Sequence, residues 1–218
     1  MKTTPNSIPL ETLKVEIEMK IQDKVKASKP DTPILAFATI EEWTSWLAKY
    51  HVVSTGIWMQ LFKKKSSVAT ISYSEALDVA LCYGWIDGQK KSYNIDSWIQ
   101  KFTPRRAKSI WSKRNREHID RLEKAGKMTA AGSAQVEAAK ADGRWDRAYD
   151  SPRNMVVPED FLKELAKHKK AAAFFNTLNK ANTYSIVWRL QTAQKPETRD
   201  RRMKIILDML KRGEKFHL

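Results

Sequence analysis

The sequence predicts an α+β fold that is predominantly helical: a small three-stranded antiparallel sheet with helices, followed by a C-terminal helical bundle. Three observations support this class. Gly56–Lys65 and Ser97–Thr103 alternate residue by residue, and Trp85-Ile86-Asp87-Gly88 begins a strand or tight turn between them. From Ser109 onward the apolar residues recur with helical spacing. Residues 1–33 carry one helical stripe and then Pro30 and Pro33. The chain divides accordingly into an N-terminal helical extension and hinge at 1–33, an α+β lobe at 34–128, and an all-helical lobe at 129–218 packed on it.

Taken in order, Leu13, Ile17, Ile21 and Val25 form the stripe of an amphipathic helix. Pro30 and Pro33 end it by removing amide donors and fixing φ. Thr39 caps a helix reaching about Tyr50, with Glu41 and Glu42 in its positive first turn and Trp43, Trp46, Leu47 and Tyr50 on one face. In the next segment Ile57, Met59 and Leu61 point one way, while Trp58, Gln60 and Phe62 point the other. Ser72-Tyr73-Ser74-Glu75 fits a capping box, and the helix it opens stops at Gly84. The returning strand sets Trp98, Gln100 and Phe102 against Ile99 and Lys101. Ser112 and Thr129 cap two further helices, closed by Gly126 and by Asp142-Gly143. A loop at 143–157 precedes Pro158, which suits a helix's first turn. Ala171–Leu178 and Thr183–Ala193 supply two more helices. Pro196 opens the last, where Met203, Ile206, Leu207 and Leu210 make the apolar stripe.

Composition narrows the function classes. The 218 residues include 40 Lys and Arg against 25 Asp and Glu, a formal net charge of +15 that attracts polyanions without defining a site. With 42% apolar residues the chain is too hydrophobic for disorder and long enough to build a core. The single cysteine, Cys82, rules out an internal disulfide framework and reads as a buried thiol. The N-terminus lacks an apolar signal core, and no apolar run is long enough to span a bilayer, so the expected location is the cytoplasm.

Most catalytic signatures are absent. His51, His118, His168 and His217 lie far apart and share no metal-ligand spacing. There is no nucleophile elbow, Walker loop or dinucleotide fingerprint, so neither a metal nor a cofactor is expected. Asp87 reads either as a turn residue accepting from the amides of Gly88 and Gln89 or as an acid/base group meeting His51 or Asp96 in the fold.

One stretch stands out. Lys101–Lys127 holds ten basic and three acidic residues and interleaves Phe102 and Trp111 with Arg105, Arg106, Lys108, Lys113, Arg114 and Arg116. Guanidinium forks match phosphate or carboxylate oxygens, aromatic rings offer stacking faces, and a helix start adds free amides. The competing reading is a structural corner, with Trp111 packed inside and the arginines solvated or ion-paired. Lys195–Lys215, with eight basic and four acidic residues, reads as a solvated helix with i, i+4 pairs.

Several ordered strings carry a family resemblance. They include Phe37-Ala38-Thr39, Gly56-Ile57-Trp58, Cys82-Tyr83-Gly84-Trp85-Ile86-Asp87-Gly88 and Phe102-Thr103-Pro104-Arg105-Arg106. They continue with Trp111-Ser112, Val136–Trp145, Tyr149-Asp150, Phe174-Phe175 and Glu197–Arg202. Over about residues 37–217 the chain resembles the YdeI/OmpD-associated family, also labelled bacteriocin-protection proteins. The resemblance implies a link to bacteriocin or antimicrobial-peptide tolerance, to envelope stress and to an outer-membrane porin. It supplies no catalytic residues. It does make the Trp85–Gly88 turn and the Phe102–Arg106 corner motif positions.

The leading expectation is therefore a cytoplasmic protein, more a binder than an enzyme, whose partner is a small anionic ligand or a polyanion. Arg105, Arg106 and Arg114 would clamp the anion, assisted by Asn115. Trp85 and Trp111 would wall the pocket, and Asp87 would fix a hydroxyl or amide. The alternative is a sequence-nonspecific nucleic-acid-binding protein. An enzyme using Asp87 or His51 as proton carrier, and an interaction protein using residues 1–33, are two further readings. No membrane insertion is expected, and the sequence leaves the oligomeric state open.

Overall fold

Strand β1, Ile34–Ala36, follows Pro33 directly and lies parallel to β2, Ile57–Phe62, with Ile34 opposite Trp58 and Ala36 opposite Gln60. The Trp58 amide donates to the Pro33 carbonyl at 2.8 Å, which sets that register. The structure, a computed structural model, describes residues 32–217. The helix expected around Leu13–Val25 lies outside the described residues, as does all but the end of the 1–33 extension.

Strand β4, Ser97–Pro104, runs antiparallel both to β2 and to β3, Trp85–Ser92, so the order is β1-β2-β4-β3. The three-stranded antiparallel sheet predicted from the sequence is thus corrected: the sheet has four strands and is mixed, with one parallel pair. The fold remains α+β, with eight helices among the described residues. Ile34-Leu35-Ala36 is too short for alternation to show, and a parallel partner is reached only after a whole helical crossover. No local signal records such a pairing.

The helices begin where side chains satisfy their free amides. Helix α1, Ile40–Tyr50, starts with Thr39 accepting from the Glu42 amide, while the Glu42 carboxylate accepts from the Ala38 amide at 2.8 Å. Helix α2, Tyr73–Cys82, has the full Ser72/Glu75 capping box and ends at Gly84, whose φ of 72° is the left-handed conformation glycine adopts without penalty. Ser112 caps α3, Lys113–Lys124, and Thr129 caps α4, Ala130–Ala141. Helix α5, Glu159–Ala166, begins one residue after Pro158, which sits at its N-cap with extended ψ rather than in its first turn. Helices α6, Lys169–Phe175, and α7, Lys180–Gln191, follow, and Pro196 opens α8, Pro196–Lys211.

Two apolar cores result. The first joins one sheet face (Ile57, Met59, Leu61 and Phe102) to Trp43 and Leu47 of α1 and to Ala76, Leu77, Ala80 and Leu81 of α2. Ile119, Leu122, Val136, Ala139, Trp145 and Ala148 extend it through α3, α4 and the segment beyond. The second gathers Phe161, Leu165, Ala171, Ile186, Leu190, Ile206, Leu207 and Leu210 from the last four helices. Among the described residues no helix is long and apolar enough to cross a membrane.

Candidate functional site

Where the first core meets α7, the surface opens into a cleft of about 430 Å³. Its walls are Tyr73 and Leu77 of α2, Ile86–Gly88 of β3, Ser109 and Ile110, the start of α3, Tyr149, Ser151 and Pro152, and Tyr184 with Trp188 of α7. Backbone pairing builds the junction. The Tyr149 amide donates to the Trp111 carbonyl at 3.0 Å, and the Lys113 amide donates to the Tyr149 carbonyl at 2.9 Å. Asp150 then ties this segment to α7. Its carboxylate accepts from Gln191 Nε2 at 2.8 Å, and its carbonyl accepts from the Tyr184 hydroxyl at 3.2 Å. Tyr149 meets Trp188 edge-on, with ring centroids 6.2 Å apart.

Three of the predicted residues converge here: Asp87, Arg114 and Asn115 all border the cleft. Asp87 is a strand residue, not a turn cap. It faces the helices opposite Phe102, and one carboxylate oxygen accepts the Tyr73 hydroxyl at 2.7 Å. That leaves its other oxygen to serve as an acceptor. Arg114 is exposed in the first turn of α3, a turn with no acidic residue, so its charge adds to the positive end of the helix dipole. Asn115, the third residue of that helix, is buried, and its amide is capped by Ser112 Oγ at 3.1 Å.

The other predicted residues stand elsewhere. Arg105 is 5% exposed, and its guanidinium lies 3.6 Å over the Trp111 ring. One of its nitrogens donates to Ser109 Oγ at 3.3 Å and to the Ile110 carbonyl at 3.1 Å, so it supports the cleft wall from behind. No described carboxylate pairs with it. Its Nη2 and the Trp111 Nε1 are buried without a hydrogen-bond partner among the described residues. Trp85 is buried in the first core, donating from Nε1 to the His51 carbonyl at 3.1 Å, and Arg106 is exposed; neither borders the cleft. His51, offered as a proton carrier, packs edge-on against Tyr83 and likewise lies outside the cleft wall.

The electrostatics of the cleft follow from this placement. Burial, then the hydrogen bond to Asp87 and its charge, push the Tyr73 hydroxyl well above the ordinary phenol range. Burial and the charge of Asp87 also raise Tyr149, partly offset by Arg105. Tyr184 is pushed up to about 12, by burial first and then by Tyr149 and Asp150. Burial depresses Arg105 to about 10, the response of a guanidinium removed from water without an anionic partner. The cleft therefore offers three neutral phenol hydroxyls, one carboxylate and one exposed cation at a helix start.

Sequence reasoning missed the tyrosines. Tyr73 stood out only as part of the capping box, and Tyr149 as a loop residue within the Tyr149-Asp150 string. Tyr184 and Trp188 carried a usable signal, being four apart on one helical face and outside the buried stripe of Ile186, Val187 and Leu190.

Comparison with known families divides the chain. Residues 35–135 match a family described only as a domain of unknown function, DUF8412. Residues 154–213 match the family described as Bacteriocin-protection, YdeI or OmpD-Associated. The resemblance read over 37–217 is thus shared between two families, and the cleft draws its walls from both segments and from the residues joining them. No curated protein and no solved structure matches the chain. The C-terminal segment, residues 154–213, is thus similar to the Bacteriocin-protection, YdeI or OmpD-Associated family.

Proposed function

We propose that the cleft binds a small anion that also carries hydroxyl or amide groups, such as a phosphorylated or carboxylated metabolite. One observation carries the reading: Asp87, Arg114 and Asn115 converge at the start of α3, between three tyrosines. Arg114 and the helix end would take the anionic group, since both present positive charge where it meets solvent. The free oxygen of Asp87 would accept from a hydroxyl or amide. The tyrosine and tryptophan rings would cover the apolar faces of the ligand. Arg105, a buried cation without a carboxylate partner behind the wall, adds positive potential to the same place.

Calorimetric titration with inorganic phosphate, glucose 6-phosphate and adenosine monophosphate tests this. The expected result is binding of at least one organic phosphate. Arg114→Ala weakens it roughly tenfold or more, the cost of losing a charge-assisted contact. Asp87→Asn weakens the hydroxylated ligands and leaves inorganic phosphate unchanged. Absence of binding by all three probes, or affinities indifferent to both substitutions, overturns the reading. Bacteriocin protection, which the family description names, comes to this chain as part of the proposal: ligand binding in the cleft serves that tolerance. Cells carrying Asp87→Asn and Arg114→Ala in place of the normal protein should then survive bacteriocin challenge less well.

A further inference from the structure

The face of the sheet turned away from both cores is a second chemical surface, separate from the cleft. Along β2, Ile57, Met59 and Leu61 enter the first core, while Trp58, Gln60 and Phe62 stay half-exposed on the opposite face. Trp58 stands opposite Lys101 of β4 and opposite Ile34 of β1, which is 43% exposed. Two ammonium groups lie over its ring, Lys91 Nζ at 4.6 Å and Lys101 Nζ at 5.5 Å from the centroid. Lys64 and Lys65 follow Phe62 at the end of β2 away from Trp58 and are exposed. Among the described residues no carboxylate pairs with Lys64, Lys65, Lys91 or Lys101.

We propose that this face binds single-stranded nucleic acid, with Trp58 as the stacking platform and Lys91 and Lys101 as the phosphate contacts. An aromatic ring standing on an open sheet, flanked by cations on flexible stems, meets the two needs of an unpaired strand: a π-face for the base and positive charge beside it. The lysines hold the ring weakly at a solvent-facing site, so they can yield it to a base and move their ammonium groups onto phosphate. Phe62, four residues on and on the same strand face, adds a second aromatic ring two pleat repeats from Trp58, with Gln60 between them. A duplex buries its bases and would use only the charges. A second copy of a chain with net charge +15 would bring its own lysines against these.

The test is fluorescence anisotropy of the full chain with a labelled oligothymidylate and with the matching thymidylate–adenylate duplex, at several salt concentrations. The single strand should bind more tightly than the duplex. With two phosphates neutralised, log affinity should fall against log salt with a slope of roughly −1.4. Trp58→Ala should weaken the single strand about tenfold, the usual loss for one stacked base. Because Trp58 is half-buried and its removal can loosen the sheet, the pair Lys91→Gln with Lys101→Gln provides a second reading. It should reduce the slope by about 1.4 while leaving the melting temperature near that of the unmodified protein. Arg114→Ala, which acts on the cleft, should leave oligonucleotide binding unchanged, so failure of this site and failure of the cleft are told apart. No binding at low salt overturns the proposal, as does equal affinity for duplex and single strand that ignores Trp58→Ala. Self-association abolished by Trp58→Ala in sedimentation, with no oligonucleotide bound, would assign the face to a second copy and also overturn it.

Discussion

Replacing Gly132 with alanine should destabilise the protein, although the same change in an open helix stabilises it. Gly132 is the third residue of α4 and packs against the end of α2. A Cβ built there would lie 2.7 Å from the Cys82 carbonyl carbon and 2.9 Å from the Leu81 carbonyl oxygen, with the Cys82 oxygen closer still. All three atoms are backbone, so no side chain can swing aside. The helices would have to part, and that movement has a further cost. The Cys82 carbonyl also accepts from the Thr129 amide at 3.2 Å and from its hydroxyl at 2.6 Å, the bonds that seat the start of α4. Helix propensity favours alanine by about 1 kcal/mol, whereas overpacking costs about 1–3 kcal/mol and loss of the two hydrogen bonds about 1 kcal/mol each. The net expectation is a loss of roughly 2–4 kcal/mol, or about 4–16 °C in Tm for a chain of this size. Gly126→Ala is the control. Its φ is 64° with nothing within 4 Å of a Cβ, so only backbone strain of about 1 kcal/mol applies. Thermal and urea melts followed by circular dichroism decide the matter. If Gly132→Ala matches or exceeds the parent in stability, or falls less than Gly126→Ala, the close approach of the two helices is refuted.

Three other outcomes can be checked by the same melts. Ser72→Ala removes one half of the α2 capping box and should cost about 1 kcal/mol at neutral pH. Hydrogen bonds from the backbone and side chain of Ser72 hold the Glu75 carboxyl below its usual range, so this contribution is present above the ordinary value of 4.5 and is lost as pH falls through the lowered one; the gap between Ser72→Ala and the parent should narrow in acid. Tyr73, Tyr149 and Tyr184 are all raised above the ordinary 10.0, Tyr184 to about 12. The unfolded chain therefore loses these protons first. The stability they hold is complete below pH 10 and declines as pH rises toward 12, and Tyr73→Phe should flatten the fall of Tm across that window. Asp78→Ala removes the carboxylate that joins α2 to His118 and Arg121 of α3, each at 2.6 Å, and should cost about 1–3 kcal/mol, with a substantially smaller loss when His118 alone is changed to Gln.

Much of the local structure was legible from residue order. The caps at Thr39, Ser72, Ser112 and Thr129 all form as read, because a hydroxyl accepting from an amide three residues on is a short-range event. Pro196 opens α8 for the same kind of reason, since proline's missing amide costs nothing in a first turn. The strand at Ile34–Ala36 was not legible, because its hydrogen bonds come from β2 across a helix. The misreading of Asp87 has the same origin. Its position beside a glycine suggested a turn, but pairing with Phe102 keeps it in the sheet and brings it to Tyr73.

The helix starts after Thr39, Ser72, Ser112 and Thr129 and at Pro196, the alternation of two strands, the surplus of positive charge and the burial of Cys82 follow from the sequence alone, since each depends on neighbours a few residues away or on composition. Which groups meet was decided only by the tertiary structure. Arg105 and Arg114 look equivalent in the basic stretch, yet one is stacked on Trp111 behind the wall and the other opens onto the cleft. Tyr73, Tyr149 and Tyr184 come from three distant segments and share one cleft. The physical reason is range. Capping and periodicity act over one turn or one pleat, whereas a site is made by packing two cores against each other, and that packing depends on every buried side chain at once.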